Sequence, residues 1–499
     1  MRRFVSILVL IIIGILPFGC AVTPRPLTLQ ELETRTEKDL QAMFADQEPV
    51  AGPITLYGAM ARAVKYNLNY RLKLMEKALA NRQHDVSKYD LLPELTSAAG
   101  YRHRNNFRGS SSRSLLTGQQ SLEVSTSEET EIFTVDYLQL TWNVLDFGVS
   151  YVRAQQQADR VLISEEQRRK VIQNIIQDVR SAYWSAVGSE RLKREMTQLL
   201  EKTKSALDNS RKIAGQRLRA PRESLVYQRA LLENIRLLWE LIQRLDRAKK
   251  ELAALMNLNP GEAFSIAEPD WGSIAMPSFN VPVEELERMA MLHRPELKEE
   301  DYRARISALE VRRAMLSMLP GLELNFNYNY DNNDFLFNNL WYTVGSRISW
   351  NIFNLLSGPV AISSAKTLKE VDQVRRRAVS MAVLTQVHLA LQRYGLIKEQ
   401  YTVSRDLNEV NARIHEQVAA AEIAGREGQL AVIRSATNAL VASMRHREAY
   451  AFLQNAVGRI YHSIGVDLMP DEVEALDVNT LAEALAASFG QWDQRLGRE

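Results

Sequence analysis

The chain contains two related segments, and this internal repeat restricts the folds open to it more than any other feature. Residues 67–95 read NLNYRLKLMEKALANRQHDVSKYDLLPEL and align without a gap with residues 294–322, which read RPELKEEDYRARISALEVRRAMLSMLPGL. Both segments have helix-like composition and stop at a Leu-Pro pair, because proline ends a helix: Leu92-Pro93 and Leu319-Pro320. The repeat predicts two copies of one structural unit, over 54–263 and 282–470, joined by a linker over 264–281.

Each half also contains a long stretch without proline. Residues 150–213 and 360–423 are predicted to form single helices of about 64 residues, or roughly 95 Å at the rise of an α-helix. Helices of this length indicate a coiled coil or a tube. Apolar residues spaced 4-3-4-3 support that interpretation: Ile172, Ile176, Val179, Tyr183 and Ala186 in the first, and Val383, Val387, Ala390, Tyr394 and Ile397 in the second.

The two long helices end on the same tripeptide, Ile213-Ala214-Gly215 and Ile423-Ala424-Gly425. Glycine at both positions predicts the left-handed conformation that ends a helix. Return helices are expected over about 222–257 and 431–464. Each is half as long as its outgoing helix, so the helix before each strand pair is expected to stack on it end to end.

Strands are predicted between the helices of each half. Residues 322–331 read LELNFNYNYD and alternate strictly between apolar and polar side chains, with the apolar ones at even positions. A soluble sheet shows this pattern, and so does a barrel strand with lipid outside and water inside. The aromatic content favours the barrel. The other strands are expected over 341–352, 95–104 and 132–144.

The first residues resemble a secretory signal. Arg2 and Arg3 precede an apolar run, and residues 1–19 are expected to be removed. Cys20 is the only cysteine in the sequence. It is either incidental or the attachment site of lipid (palmitate), and its place directly after the signal favours lipid. No later apolar run has the roughly 20 residues of a membrane helix, so membrane crossing would need a closed β-barrel; otherwise the protein is tethered by lipid alone.

Several function classes lack support in the sequence. Basic and acidic residues number 62 and 60, so nucleic-acid binding has no basis in composition. His415-Glu416 lacks a second histidine at position 419, which is alanine, so the zinc-protease motif fails. We expect no enzyme activity, metal or cofactor.

The order and spacing of these features resemble the TolC family of outer-membrane efflux proteins, from about Ile54 to Pro470. The resemblance rests on the duplicated Leu-Pro and on short motifs in both halves. These are two Trp-Asn pairs, the segment after the second strand, the two Ala-Gly tips and the start of the second half: Trp142-Asn143, Trp350-Asn351, Asp146-Phe147-Gly148, Ala214-Gly215, Ala424-Gly425 and Arg294-Pro295-Glu296-Leu297. No single motif is specific for the family, but their order and spacing, repeated in both halves, are specific for it.

The resemblance implies a mixed α and β membrane protein. Four strands per subunit would give a homotrimer with a twelve-stranded β-barrel, continued by an α-helical coiled-coil tunnel in the periplasm. Such a duct sits in the outer membrane of a Gram-negative bacterium and passively serves an efflux or type I secretion system driven by an inner-membrane transporter. Residues 20–53 would be a lipid-anchored linker and 471–499 a belt or tail. A periplasmic adaptor would dock at the tips: Ile213, Ala214, Gly215, Gln216, Ile423, Ala424, Gly425 and Arg426.

The resemblance also points to the aperture. In the best-known channel, acidic residues six and nine places after the second tip glycine line the closed end. Here those places hold Ala431 and Arg434. The aperture is therefore expected to be neutral or anion-favouring, unless the arginines near the two tips, such as Arg434, point outward to adaptor or solvent.

Two other functions fit parts of the sequence. One is a lipid-tethered periplasmic coiled-coil scaffold without a pore, and a weaker one is a surface adhesin. The alternating strand at 322–331 discriminates, because a scaffold has no need for it.

Overall fold

The computed structural model describes residues 24–121, 123–216, 221–259, 261–269, 271, 276–279, 281–469 and 477–497; the predicted signal and Cys20 lie outside them. The helices in these ranges are α1 (Leu29–Met43), α2 (Leu56–Tyr66), α3 (Leu68–Tyr89), α4 (Val144–Ala186), α5 (Ser189–Gly215), α6 (Pro221–Leu255), α7 (Val283–His293), α8 (Pro295–Leu316), α9 (Asn354–Ile423), α10 (Gln429–Ser463) and α11 (Val478–Arg495). The strands are β1 (Glu94–His103), β2 (Glu131–Asn143), β3 (Gly321–Asp331) and β4 (Leu340–Ser349). Among the described helices, none combines the length and apolar character of a membrane-spanning helix.

The four strands form one antiparallel sheet in the order β1-β2-β3-β4, so β1 and β4 are its edges. The predicted strands are confirmed, with ends within about three residues of those expected. Phe326 of β3 lies opposite Leu140 of β2 and Val344 of β4. The apolar positions of neighbouring strands therefore share one face. A shift in register between Asp136 and Leu138 marks a bulge in β2.

The helices next to the sheet follow the strand order. α3 packs on α4, α4 packs on α8, and α8 packs on α9. Further from the sheet, α6 packs on α5, and α10 packs on α9 and α4. The predicted seam residues of the long helices are buried or half-buried, as 4-3 spacing requires: Ile172, Ile176, Val179, Tyr183, Ala186, Val383, Val387, Ala390, Tyr394 and Ile397.

One long helix is continuous and the other is broken. α9 begins at Asn354, before Pro359, so its predicted start at residue 360 was wrong; proline in the second turn removes only one helical hydrogen bond. The prediction of a single helix over 150–213 was also wrong, because the chain leaves the helix at Val187 and Gly188 between α4 and α5. Gly188 has a left-handed φ of 74°, and the Arg447 guanidinium donates a 3.1 Å hydrogen bond to its carbonyl oxygen.

The return helices meet the helices before the strands end to end. The side-chain amide of Asn67, which caps α3, donates a 3.3 Å hydrogen bond to the carbonyl oxygen of Leu255 at the end of α6. Arg294, which precedes α8, donates at 2.8 Å to the carbonyl oxygen of His462 near the end of α10. Counting residues predicted this stacking. We call the level of these two junctions the equatorial layer.

The main apolar core lies in the equatorial layer, where α2, α7 and α11 cover the long helices. Phe489 of α11 is 1% exposed and contacts the rings of Tyr57 and Tyr461. Region 20–53, predicted as a lipid-anchored linker, contains α1, and region 471–499, predicted as a belt or tail, contains α11. The N-terminus of α1 is stabilised by a capping box between Thr28 and Glu31.

The two tips end differently, although their tripeptides are identical. Gly425 has a φ of 70°, and Arg426 N–H donates to the Ala421 carbonyl at 2.9 Å, which confirms the left-handed helix end there. At the first tip the prediction was wrong. Gly215 is the last residue of α5, and the next N–H, of Gln216, still donates to the Lys212 carbonyl at 3.1 Å. The helical bond pattern simply continues one residue further.

Candidate functional site

The sheet has one polar and one apolar face. On the polar face, the Arg347 guanidinium of β4 donates to both carboxylate oxygens of Glu323 on β3 at 2.8 Å. On the apolar face, the rings of Phe326 and Tyr342 stack with centroids 6.2 Å apart. Glu323 and Phe326 occupy odd and even positions of the alternating segment. The alternation in sequence therefore separates two chemically different surfaces.

The apolar face is uncovered within a single chain. Tyr342, Val344 and Ile348 of β4 are 68%, 73% and 74% exposed. Transferring such a side chain from water to an apolar environment is favourable by about 1.5–3 kcal/mol. More large apolar side chains are exposed where the helices meet the sheet: Leu92, Leu319, Ile352, Phe353, Leu356 and Val360. This end of the molecule is thus suited to contact with hydrocarbon.

The two tips lie together at the far end of the helices. Ile433 of α10 is 4% exposed and packs with Ala206 and Leu207 of α5 and Leu231 of α6, which joins one helical hairpin to the other. The predicted docking residues are all solvent-accessible. Ala214 is half-buried, and the others are exposed: Ile213, Gly215, Gln216, Ile423, Ala424, Gly425 and Arg426. The structure therefore brings both predicted tip segments to one end.

The two candidate aperture residues lie just above the second tip. Arg434 is exposed and Ala431 is half-buried, while Ile433 between them faces the core. Within the described residues, no acid lies within 4 Å of the Arg434 guanidinium. Its guanidinium therefore forms no ion pair with the described part of the chain.

Arg294 organises a polar cluster that the sequence did not reveal as a unit. Its guanidinium is buried and donates to Gln386 Oε1 at 2.8 Å and to Glu296 Oε1 at 3.1 Å, besides the His462 carbonyl. His462 Nε2 lies 2.8 Å from Asn174 Oδ1. Burial, with the nearby Arg294 cation, lowers the pKa of His462 to about 4. The Arg-Pro-Glu motif was the only local signal, since the partners come from three helices.

Two tyrosines of the predicted seams also bind the linker between the halves. The Tyr183 hydroxyl donates to the carbonyl oxygen of Ala267 at 3.0 Å, and the Tyr394 hydroxyl donates to that of Pro277. Burial raises the pKa of Tyr183 to about 12. The Tyr183 hydroxyl is therefore a protonated donor at neutral pH. The sequence predicted these residues only as packing residues, because a seam position does not show where a hydroxyl finds its acceptor.

No three His, Cys, Asp or Glu side chains in the described ranges are grouped as metal ligands would be. The arrangement thus consists of a two-faced sheet, a long helical section and an exposed pair of tips.

Solved structures share this architecture. No protein-family model matches the chain, and no curated protein matches it. The Campylobacter jejuni CmeC outer membrane channel superposes with a TM-score of 0.66 at 14% identity, covering 94% of this chain and 98% of that one. The outer-membrane channel OprN gives 0.62 at 18% identity, covering 82% and 89%. The open-state Neisseria gonorrhoeae MtrE outer membrane channel gives 0.62 at 16%, covering 85% and 94%. The chain therefore has the fold of the TolC family of outer-membrane efflux channels, as its repeated motifs predicted.

Proposed function

We propose that this chain is the exit duct of a multi-component efflux or type I secretion system in the outer membrane of a Gram-negative bacterium. The observation that carries the proposal is a four-stranded sheet with an exposed apolar face, set at one end of long paired helices. The duct is passive and takes no part in catalysis. An inner-membrane transporter supplies the energy, and a periplasmic adaptor connects it to the duct.

The open edges of the sheet support a homotrimer. β1 and β4 each leave one side without a described strand partner. Backbone groups in hydrocarbon must be hydrogen-bonded, because no water is present to satisfy them. Further copies of the same sheet satisfy the edges if β1 of one copy pairs with β4 of the next. Three copies of four strands give the twelve-stranded barrel implied by the family resemblance.

The helices support the same assembly. α3 exposes a row with 4-3-4 spacing, and Met75 in that row is 64% exposed: Leu68, Leu72, Met75 and Leu79. α9 exposes another row with heptad spacing on the same side of the equatorial layer, and its Val374 is 63% exposed: Val371, Val374 and Met381. Helices α3 and α9 stand at opposite ends of the helix order next to the sheet. Neighbouring copies side by side bury both rows in one coiled-coil seam.

We further infer that each chain holds two structural repeats, 54–263 and 282–470, joined by the linker 264–281. Asn67 and Arg294 occupy the same position in the aligned segments. Each reaches from the start of a helix to a carbonyl oxygen at the end of a return helix. Gene duplication followed by divergence accounts for the fact that different side chains, Asn67 and Arg294, form the same kind of hydrogen bond between helices.

Docking of the adaptor is assigned to the tips, at Ile213–Gln216 and Ile423–Arg426. They are exposed and lie at the end farthest from the sheet. Ile423 is 87% exposed, and a large apolar side chain so exposed is suited to a protein partner.

Lipid attachment at Cys20 is a separate part of the proposal, supported by the sequence alone. Mass spectrometry of the mature N-terminus tests it, and an unmodified terminus or a different cleavage site contradicts it. If Cys20→Ser still inserts and exports, the lipid is an accessory anchor.

The competing function is a lipid-tethered periplasmic scaffold without a pore. Fractionation separates the two proposals. A duct sediments with outer membranes as a heat-modifiable oligomer, and the purified oligomer conducts ions across a planar bilayer. A scaffold is released from the membrane by Cys20→Ser and shows no conductance.

A further inference from the structure

A cavity lies beside the break between α4 and α5. Its volume is about 310 Å³, at the lower end of the range for small-molecule sites. It is a cleft between the α4–α5 junction, α6 and α10. Neither the sheet nor the tips contribute to it.

The interior of the cavity is apolar. Leu192 of α5, Leu245 of α6 and Ala451 of α10 line it and are 1%, 6% and 3% exposed. Met444, also 3% exposed, and the indole of Trp184 complete this surface. This surface is suited to an aromatic ring or a short acyl chain, because the transfer of such an apolar group out of water is favourable.

The lining is also positively charged. Three guanidinium groups, of Arg244, Arg247 and Arg447, face two carboxylates, of Glu251 and Glu448. Arg244 is paired with Glu448 at 3.4 Å. Within the described part of the chain, neither Arg247 nor Arg447 has an acid within 4 Å. Glu268 acts on Arg447 only from a longer distance, and the lining carries one more guanidinium group than carboxylates, so the cavity has a net positive charge.

Arg447 has the more restricted surroundings of the two. Its guanidinium donates to the Gly188 carbonyl oxygen at 3.1 Å and lies over the Trp271 ring, 5.0 Å from the centroid. These contacts hold the side chain in place at the cavity wall. A planar guanidinium fixed in this way is a pre-oriented donor for a carboxylate or sulfonate.

We propose that this cavity binds a small amphipathic anion, with its apolar part among Leu192, Leu245 and Met444 and its anionic group on Arg447 and Arg247. Because Arg447 also holds the Gly188 carbonyl, the bound anion lies against the joint between the equatorial layer and the α5–α6 hairpin. This site is independent of the duct function proposed above.

The full-length protein in amphipol, in its purified oligomeric form, tests the proposal with 2-naphthoate as the probe. Equilibrium dialysis is expected to show saturable binding of one probe per chain, with a Kd below about 1 mM for a ligand of this size. The uncharged 2-naphthamide has nearly the same shape. It is expected to bind at least about tenfold more weakly, because it lacks the charge-assisted contact.

Two variants locate the bound probe. Arg447→Met is expected to weaken 2-naphthoate binding at least about tenfold and to leave 2-naphthamide binding nearly unchanged. Ser185→Trp fills the cavity from an exposed lining position and is expected to abolish binding of both probes. Gln198→Trp is the matched control, an exposed position on α5 outside the cavity, and is expected to bind like the unmodified protein.

Absence of saturable 2-naphthoate binding overturns the proposal. So does binding that survives Ser185→Trp unchanged, since the probe then sits elsewhere. Equal affinity for 2-naphthoate and 2-naphthamide overturns the assignment of an anion. Ser185→Trp keeps the proposal testable even if Arg447→Met fails to fold.

Discussion

The Arg294 guanidinium donates a 2.8 Å hydrogen bond to the backbone carbonyl oxygen of His462 and lies 3.3 Å from the imidazole Nδ1 of the same residue. The Arg294 cation next to Nδ1 favours the neutral form of the imidazole. In that form Nδ1 accepts a hydrogen bond from Arg294, and the Nε2–H group donates one to Asn174 Oδ1. The junction between α10 and α8 is therefore held by an uncharged histidine. It joins the two helices that stack along α9.

This arrangement predicts a loss of stability in mild acid. Burial, with Arg294 nearby, lowers the pKa of His462 from 6.5 to about 4 in the folded chain. Unfolding restores the higher pKa, so the unfolded state binds the proton more readily. The stabilisation is complete above pH 6.5 and is lost as the pH falls towards 4, at most about 3 kcal/mol. Thermal melting of the oligomer from pH 7.5 to 4 measures it.

The His462→Gln variant is expected to show a flatter pH profile over that interval, because glutamine does not titrate. Identical profiles for the unmodified protein and His462→Gln would contradict the assignment.

The glycines at 188 and 425 give a matched pair of substitutions. Both have left-handed φ angles, 74° and 70°. Alanine at either site costs roughly 1–2 kcal/mol for that conformation. At Gly188 the added Cβ would also collide with the Arg447 guanidinium, whereas nothing lies within 4 Å of the added Cβ at Gly425. Gly188→Ala is therefore expected to lower the melting temperature more than Gly425→Ala.

Combining Gly188→Ala with Arg447→Ala checks the cause of that difference. Removing the guanidinium relieves the clash, so the double variant should lose less stability than the two single variants together. Strict additivity would show that Arg447 is not what restricts Gly188.

Local patterns in the sequence predicted most of the fold. The period of two located β2, β3 and β4, correspondence between the two halves located β1, and 4-3 spacing identified buried residues such as Val179 and Val387. The helices α1 and α11 were missed although their caps are local signals. Thr28 is followed by Glu31 three residues later, and Asp477 accepts from the N–H groups of Asn479 and Thr480.

Features that depend on distant residues were not predictable. An isolated glycine is tolerated within a helix, so Gly188 alone does not indicate a break. The break involves Arg447, which is 259 residues away in sequence. The identical tips show the same limit. Gly215 and Gly425 follow the same two residues, yet only Gly425 is left-handed.

The proposed lipid-facing surface predicts opposite effects at two adjacent positions. Phe326→Arg places a charge on the apolar face and is expected to cost about 2–4 kcal/mol if it lies near the middle of the bilayer. Asn327→Arg lies on the polar face, where Asn327 Nδ2 is 3.4 Å from Thr343 Oγ1, and should be tolerated. The yield of heat-modifiable oligomer measures both. Equal tolerance at the two positions would exclude a barrel here.

Bulky side chains at the tips are expected to block docking without affecting assembly. Gln216→Trp and Arg426→Trp alter exposed residues outside the apolar cluster that joins the two hairpins. Export should be abolished while the oligomer forms normally. Gln198→Trp, exposed on α5 away from the tip, is the control and should export normally. Normal export in the tip variants would leave Gly425 with a capping role only.

The last prediction concerns the charge at the narrow end. Arg434 is exposed and has no acid within 4 Å in the described ranges, and Ala431 is uncharged. In a trimer, three copies of Arg434 approach the axis if they face the lumen. A ring of like charges sets the ion preference of a pore, because the constriction brings the charges close to the passing ion. The duct is therefore expected to be neutral or anion-favouring, and Arg434→Glu should shift its preference towards cations. Single-channel recording across a salt gradient measures this as a change in reversal potential. A strongly cation-selective potential that Arg434→Ala leaves unchanged would show that these arginines point outward to solvent or adaptor, and the duct proposal would still stand.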